Sequence, residues 1–138
     1  MSADSKAERV AAAARALVGT RFRLHGRDRA TGLDCIGVAA LAVRGGGGIG
    51  EVPTGYALRS GDVGRMLKGI AAAGLEPVGD NAAGTLVLVS PGPGQLHLAV
   101  LTDAGFVHAD AGLKRVVERP GALPWIVLGR WRLREGEE

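Results

Sequence analysis

Cys35 is the only cysteine in a chain of 138 residues that carries three histidines, His25, His97 and His108. A single cysteine forms no internal disulfide, so it packs as a small hydrophobe, binds a metal or reacts as a thiol. It follows Asp34 at the start of a stretch, Asp34 to Arg44, whose Val38, Ala39, Leu41 and Ala42 make a buried helix with Asp34 as its N-cap. Unpaired N–H groups and aligned peptide dipoles at a helix start favour a thiolate there. The same N–H groups can receive the oxyanion of a tetrahedral intermediate. Taken alone, Cys35 fits inert packing at least as well as it fits catalysis.

The histidines shift that balance. His97 and His108 flank Thr102 to Gly105, a TDAG segment that reads as a hairpin turn. A four-residue turn pairs Leu101 with Phe106, sets His108 opposite Ala99 and His97 opposite Asp110, and leaves both imidazoles on one face as diagonal neighbours. Such a pair suits a general base and its orienter: His97 takes the thiol proton, and His108 holds its other ring nitrogen. Two histidines on a half-exposed sheet are the bland alternative, and a Cys/His/His zinc site is a third, although close ligand pairs are lacking. No metal and no cofactor is expected.

The elements that must position these residues follow from periodicity. Ser5 to Val18 is a helix with Val10, Ala13, Ala14, Leu17 and Val18 on its apolar stripe and Gly19 as its stop. Gly19 to Leu33 reads as an irregular loop that delivers the chain to Asp34, and Gly45 to Gly48 as a mobile end to the second helix. Ser60 caps a third helix, Gly61 to Ala73, with Val63, Met66, Leu67 and Ile70 inward and Gly74 as its stop. The period then changes to that of strands: Leu86 to Val89, Leu96 to Leu101, Phe106 to Ala109, Arg115 to Val117 and Ile126 to Leu133. Helices first and a meander of strands second predict an α+β fold with an antiparallel sheet. One domain over residues 1–138 is expected, with residues 1–5 and 135–138 disordered.

Composition narrows the partners. Hydrophobic residues make up 46% of the chain and charged ones 22%, as in a globular protein, while only 4% are aromatic. Seventeen Lys and Arg against fourteen Asp and Glu leave a net charge of +3, with no basic-aromatic strip for stacking bases, so no nucleic acid is expected. The longest apolar run, Ile36 to Val43, is far short of the roughly 20 residues that cross a bilayer, so no membrane is expected either. Met1 to Val18 has no apolar core ahead of a cleavage site, which predicts no signal peptide and a chain that is cytoplasmic as synthesised.

The stretches Gly19-Thr-Arg-Phe-Arg-Leu-His-Gly26 and Gly32-Leu-Asp-Cys-Ile-Gly37 resemble the G-x-x-Y-x-x-G-G…D-C-S-G signature of the NlpC/P60 cysteine peptidases. Leu96-His-Leu-Ala-Val100 and Phe106-Val-His-Ala109 are similar to that family's catalytic histidine strand and the strand after it. The resemblance runs from Ala11 to about Glu118. It implies a circularly permuted, papain-like α+β fold with N-terminal helices packed on the sheet. It also implies hydrolysis of peptidoglycan stem peptides, often between D-glutamate and a diamino acid, with Cys35 as nucleophile, His97 as base and His108 as third member. The segment from Val52 to Arg59, VPTGYALR, is more similar to the phage-tail and gene-transfer-agent branch. That branch implies tail proteins as partners and delivery with the particle to the periplasm.

Two positions depart from the pattern. Phe22 stands where the family has a tyrosine that helps the oxyanion hole, which makes His25 a candidate substitute donor, and Ile36 replaces the usual serine. Arg21, Arg23, Arg27 and Arg29 could bind substrate carboxylates or simply be solvated. Asp34 is expected as a cap rather than an acid, Asp110 could touch His97, and Tyr56 and Arg59 could line the cleft. A non-catalytic tail or scaffold protein with this fold, and an acyltransferase using the same residues, remain open as rival readings.

Overall fold

The structure, a computed structural model, describes residues 5–48 and 63–135. Helix α1, Lys6–Ala16, opens with a capping box in which Ser5 Oγ accepts from Glu8 N–H at 3.0 Å and Glu8 Oε1 accepts from Ser5 N–H at 2.9 Å. Glu135, expected within a disordered end, instead takes the N–H groups of Lys6 and Ala7 at 3.0 and 2.8 Å. Its negative charge suits that helix end and ties the end of the last strand to the start of the first helix. Val10, Ala11, Ala14 and Leu17 are buried, whereas Val18, expected on the stripe, is exposed just past the end of the helix.

The expected irregular loop holds a small hairpin, β1 (Arg27–Asp28) with β2 (Gly32–Leu33), immediately before helix α2, Cys35–Gly45. Two-residue strands are too short for any alternation to show in sequence. Helix α3 is Val63–Ala72, with Ile70 buried, Leu67 largely exposed and Gly74 just past its end; its expected cap, Ser60, lies outside the described residues. The strands are β3 (Leu75–Pro77), β4 (Leu86–Ser90), β5 (His97–Leu101), β6 (Gly105–Asp110), β7 (Arg115–Pro120) and β8 (Ile126–Leu133). They form one antiparallel sheet in the order β3-β8-β4-β5-β6-β7.

The expected α+β class and antiparallel sheet are therefore present, with one difference in order. β4 to β7 is a meander, but β8 crosses back to the free edge of β4, and β3 adds outside it. The reason lies in β4: Leu86, Val87, Leu88 and Val89 are all buried, and a strand covered on both faces sits inside a sheet rather than at its edge. On one face, Leu86, Leu88, Leu98, Val100, Val107, Ala109 and Val116 pack with α1 and α2. On the other, Val87, Val89, Ala99, Leu101 and Phe106 lie under Leu123, Trp125 and Val127.

Two close approaches fix α2. The glycines after it do not form a loose tether: Gly46 and Gly48 are buried, and a Cβ at Gly46 would collide with Val10 and Lys6 of α1. At its other end a Cβ at Gly37 would collide with the carbonyl oxygen of Gly26, so the hairpin and the helix start touch backbone to backbone. Gly37→Ala is expected to cost about 1–3 kcal/mol, the usual penalty for overpacking, and to lower Tm by several degrees in a thermal melt. An unchanged Tm would mean that the hairpin can shift away from the helix.

Candidate active site

Asp34 fixes where Cys35 stands. Its carboxylate is buried, 3% exposed, and Oδ1 accepts from Gly37 N–H at 2.9 Å, which caps α2 as expected. Oδ1 also accepts from Arg27 Nη1 at 2.8 Å, while Oδ2 accepts from His25 N–H at 2.9 Å. One side chain thus joins the first turn of the helix, the hairpin and the loop before it. Arg27 donates to this carboxylate and to the Gly26 carbonyl at 2.9 Å, and it is not among the residues that line the cleft. Arg29 is likewise held, donating to Ala16 O at 2.7 Å at the end of α1. Arg21 opens into a separate basic hollow with Lys114 and Arg115.

The histidine strands carry the register read from the sequence. Leu101 pairs with Phe106 and Val100 with Val107, which places His97 and His108 as diagonal neighbours. His97 Nε2 and His108 Nδ1 are 2.9 Å apart, one donating and the other accepting, with the rings edge to face. His108 is 3% exposed and His97 half-buried. Asp110, expected near His97, stands closer to the other imidazole, with Oδ2 3.9 Å from His108 Nε2.

Cys35 comes to the same cleft on α2, which packs on β5 and β6. Its thiol is buried, and the backbone N–H of Leu98, the residue after His97, is directed at Sγ. Among the described residues no hydrogen bond joins Sγ to His97. Such contacts are often long in a free enzyme and tighten when substrate binds.

The charge state differs from the sequence expectation. Burial pushes the Cys35 thiol up to about 12; the Asp34 carboxylate adds to the rise, and the Leu98 N–H and Arg27 oppose it without prevailing. The helix start therefore does not lower this thiol: burial outweighs it, and the capping Asp34 adds a negative charge at the same end. His97 is held down to about 4, first by burial and then by His108, with Asp110 and Asp34 pulling the other way. Burial also lowers His108. At pH 7 the cleft thus holds a neutral thiol and neutral imidazoles, without a preformed thiolate–imidazolium pair.

The cleft has a volume of about 640 Å³ and includes Phe22, His25, Asp34, Cys35, His97 and His108. Phe22 is partly buried against the core and offers no donor, as its side chain dictates. His25, at φ +64°, is exposed at the rim, where its side chain can reach a bound molecule. Tyr56 and Arg59 lie outside the described residues. Sequence reasoning missed two groups. Trp125 stacks edge-on against His97 at 5.4 Å and His108 at 5.3 Å, and Arg119 sits over Phe106 at 5.5 Å and Trp125 at 5.9 Å. Arg119 could have been found by carrying the hairpin argument one strand further, since it pairs with Phe106 across β6 and β7.

Among solved structures the chain is similar to the P60 domain of an antigen from M. avium subspecies paratuberculosis. The two superpose with a TM-score of 0.58 at 23% identity over 93% of this chain and 94% of that one. The chain thus has the fold of a P60 domain. No family model matches it, and no curated protein sequence does.

Alkylation of Cys35 by iodoacetamide tests the neutral resting pair. With a thiol near 12, the rate is expected to rise about tenfold per pH unit from pH 6 to 9. A rate that is already fast at pH 6 and flat to pH 8 would show a thiolate–imidazolium pair instead.

Proposed function

We propose that this protein is a cysteine peptidase or amidase acting on peptide amides of the bacterial cell wall. The observation that carries the reading is the His97–His108 pair at 2.9 Å in one cleft with a cysteine at a capped helix start. His97 uses Nε2 on His108, which leaves Nδ1 to take the thiol proton as Sγ attacks the carbonyl. N–H groups at the start of α2 receive the oxyanion. The imidazolium then protonates the leaving amine, and water resolves the thioester to regenerate the thiol.

The P60 fold and the D-C…H…H order in the sequence support murein stem peptides as substrate, with the D-glutamate–diamino acid amide as the bond. The tail-associated branch rests on sequence resemblance over Val52 to Arg59, outside the described residues, and offers phage or gene-transfer-agent tail proteins as partners that carry the enzyme to the periplasm. Phe22 favours a second reading, a fold retained for binding, because a missing oxyanion donor costs about 10²–10³ in rate.

Mass spectrometry of defined muropeptides after incubation separates these readings and an acyltransferase. The expected result is two fragments from the wild type and none from Cys35→Ala at an unchanged Tm. Cleavage by Cys35→Ala would overturn the mechanism, a product joined to an added amine would mark transfer, and an inert wild type would favour binding.

Among the described residues that line the cleft, Arg119 carries the guanidinium that can meet a substrate carboxylate. It lines the cleft, and among the described residues no carboxylate lies within ion-pair distance of it. Arg119→Gln is expected to raise KM about 10- to 100-fold for a substrate with a free carboxylate, the range for a charge-assisted hydrogen bond, with kcat little changed. The matched amidated substrate should respond far less; equal effects on both would remove Arg119 from recognition.

A further inference from the structure

His108 Nε2 is buried and has no hydrogen-bond partner. A buried polar atom without a partner is costly and calls for a physical account. Four elements surround this imidazole. His97 on β5 takes its Nδ1, and Arg119 on β7 sits close enough to disfavour its protonation. Trp125, between β7 and β8, stacks on it at 5.3 Å. Asp110, two residues along β6, points Oδ2 at Nε2 from 3.9 Å. The other charged group on this side of the cleft, Asp34 at the start of α2, acts on His97 rather than His108. Asp110 is itself anchored: its Oδ1 accepts from Leu113 N–H at 3.0 Å in the β6–β7 turn, which leaves Oδ2 turned to the histidine.

Each nitrogen of a neutral imidazole is either a donor or an acceptor. For His97 to accept the thiol proton on Nδ1, its own proton must be on Nε2. That N–H then donates to His108 Nδ1, which must be bare, so the one proton of His108 is on Nε2, facing the Asp110 carboxylate. In the reverse arrangement His108 Nδ1–H donates to His97, the His97 proton moves to Nδ1, and no base faces Cys35. That arrangement also turns the Nε2 lone pair of His108 toward a negative oxygen.

We propose that Asp110 is a positioning residue: its carboxylate holds the proton of His108 on Nε2 and thereby keeps His97 in the tautomer that can act as base toward Cys35. At 3.9 Å the selection is electrostatic, since the separation exceeds that of a hydrogen bond. No proton passes to Asp110, and its charge raises the proton affinity of both histidines, which helps the imidazolium form during attack. The proposal deepens the peptidase reading and rests on it for its catalytic meaning, but the tautomer itself is a property of the free protein.

Nitrogen-15 NMR of the histidine rings at pH 7 reads the tautomers without substrate. The wild type is expected to show protonated Nε2 and bare Nδ1 on both His97 and His108. Asp110→Asn keeps an oxygen for Leu113 N–H and turns an NH₂ toward His108 Nε2, so both tautomers are expected to reverse. On a cleaved muropeptide, kcat should fall about 10- to 100-fold with KM little changed, less than the ~10⁴ lost when a triad acid that touches its base directly is amidated. A wild-type His108 protonated on Nδ1 overturns the proposal even if the variant does not fold, and so does an Asn variant with unchanged tautomers. Reversed tautomers in a protein that cleaves no muropeptide would keep Asp110 in its role while removing the peptidase reading.

Discussion

A single buried carboxylate organises this molecule's cleft. Asp34 accepts from the first turn of α2, from the backbone at His25 and from the guanidinium of Arg27. Removing it would leave two backbone N–H groups without a partner and take the counter-charge from Arg27, which would keep only the Gly26 carbonyl. The glycine contact between Gly37 and Gly26 makes the same junction from the steric side. Because the nucleophile candidate is the very next residue, the rigidity of this junction passes directly to Sγ.

That anchoring has an electrostatic consequence. A negative cap beside a buried thiol works against the thiolate, and Arg27, which offsets it, is occupied by the cap itself. At pH 7 the thiol and the two imidazoles are therefore neutral, in a cleft whose walls combine Phe22, Leu96 and Trp125 with Asp34, Asp110 and Arg119. A neutral thiol is slow to oxidise or alkylate, and in the proposed mechanism its nucleophilicity appears only when a substrate lets the proton move to His97. Such a site trades ready reactivity for dependence on substrate fit.

Much of this was legible in the sequence because the signals are local. The apolar stripe from Val10 to Leu17 announces a helix, Asp34 announces a helix start, and TDAG fixes a hairpin register from which the contact between two histidines eleven residues apart follows by alternation. What was not legible depends on non-local packing. The return of β8 to β4 is a choice between two free sheet edges, and only the burial of β4 on both faces decides it. The direction of the Cys35 shift sets helix dipole against burial, and burial is a property of the assembled core. Arg119 stands on a strand whose register was not carried far enough, and Trp125 comes in from the loop between β7 and β8. Of the four loop arginines, Arg27 and Arg29 hold helix ends, a use that spacing alone does not reveal.

The central claim is that Cys35 attacks an amide carbonyl and carries the acyl group. Intact-protein mass spectrometry, on samples quenched in acid during turnover of a defined muropeptide, tests it most directly. The account predicts a transient mass increase equal to the acyl fragment, localised to Cys35 and removed by hydroxylamine as a thioester is. Cleavage that proceeds with no adduct, or with the adduct on another residue, would contradict it.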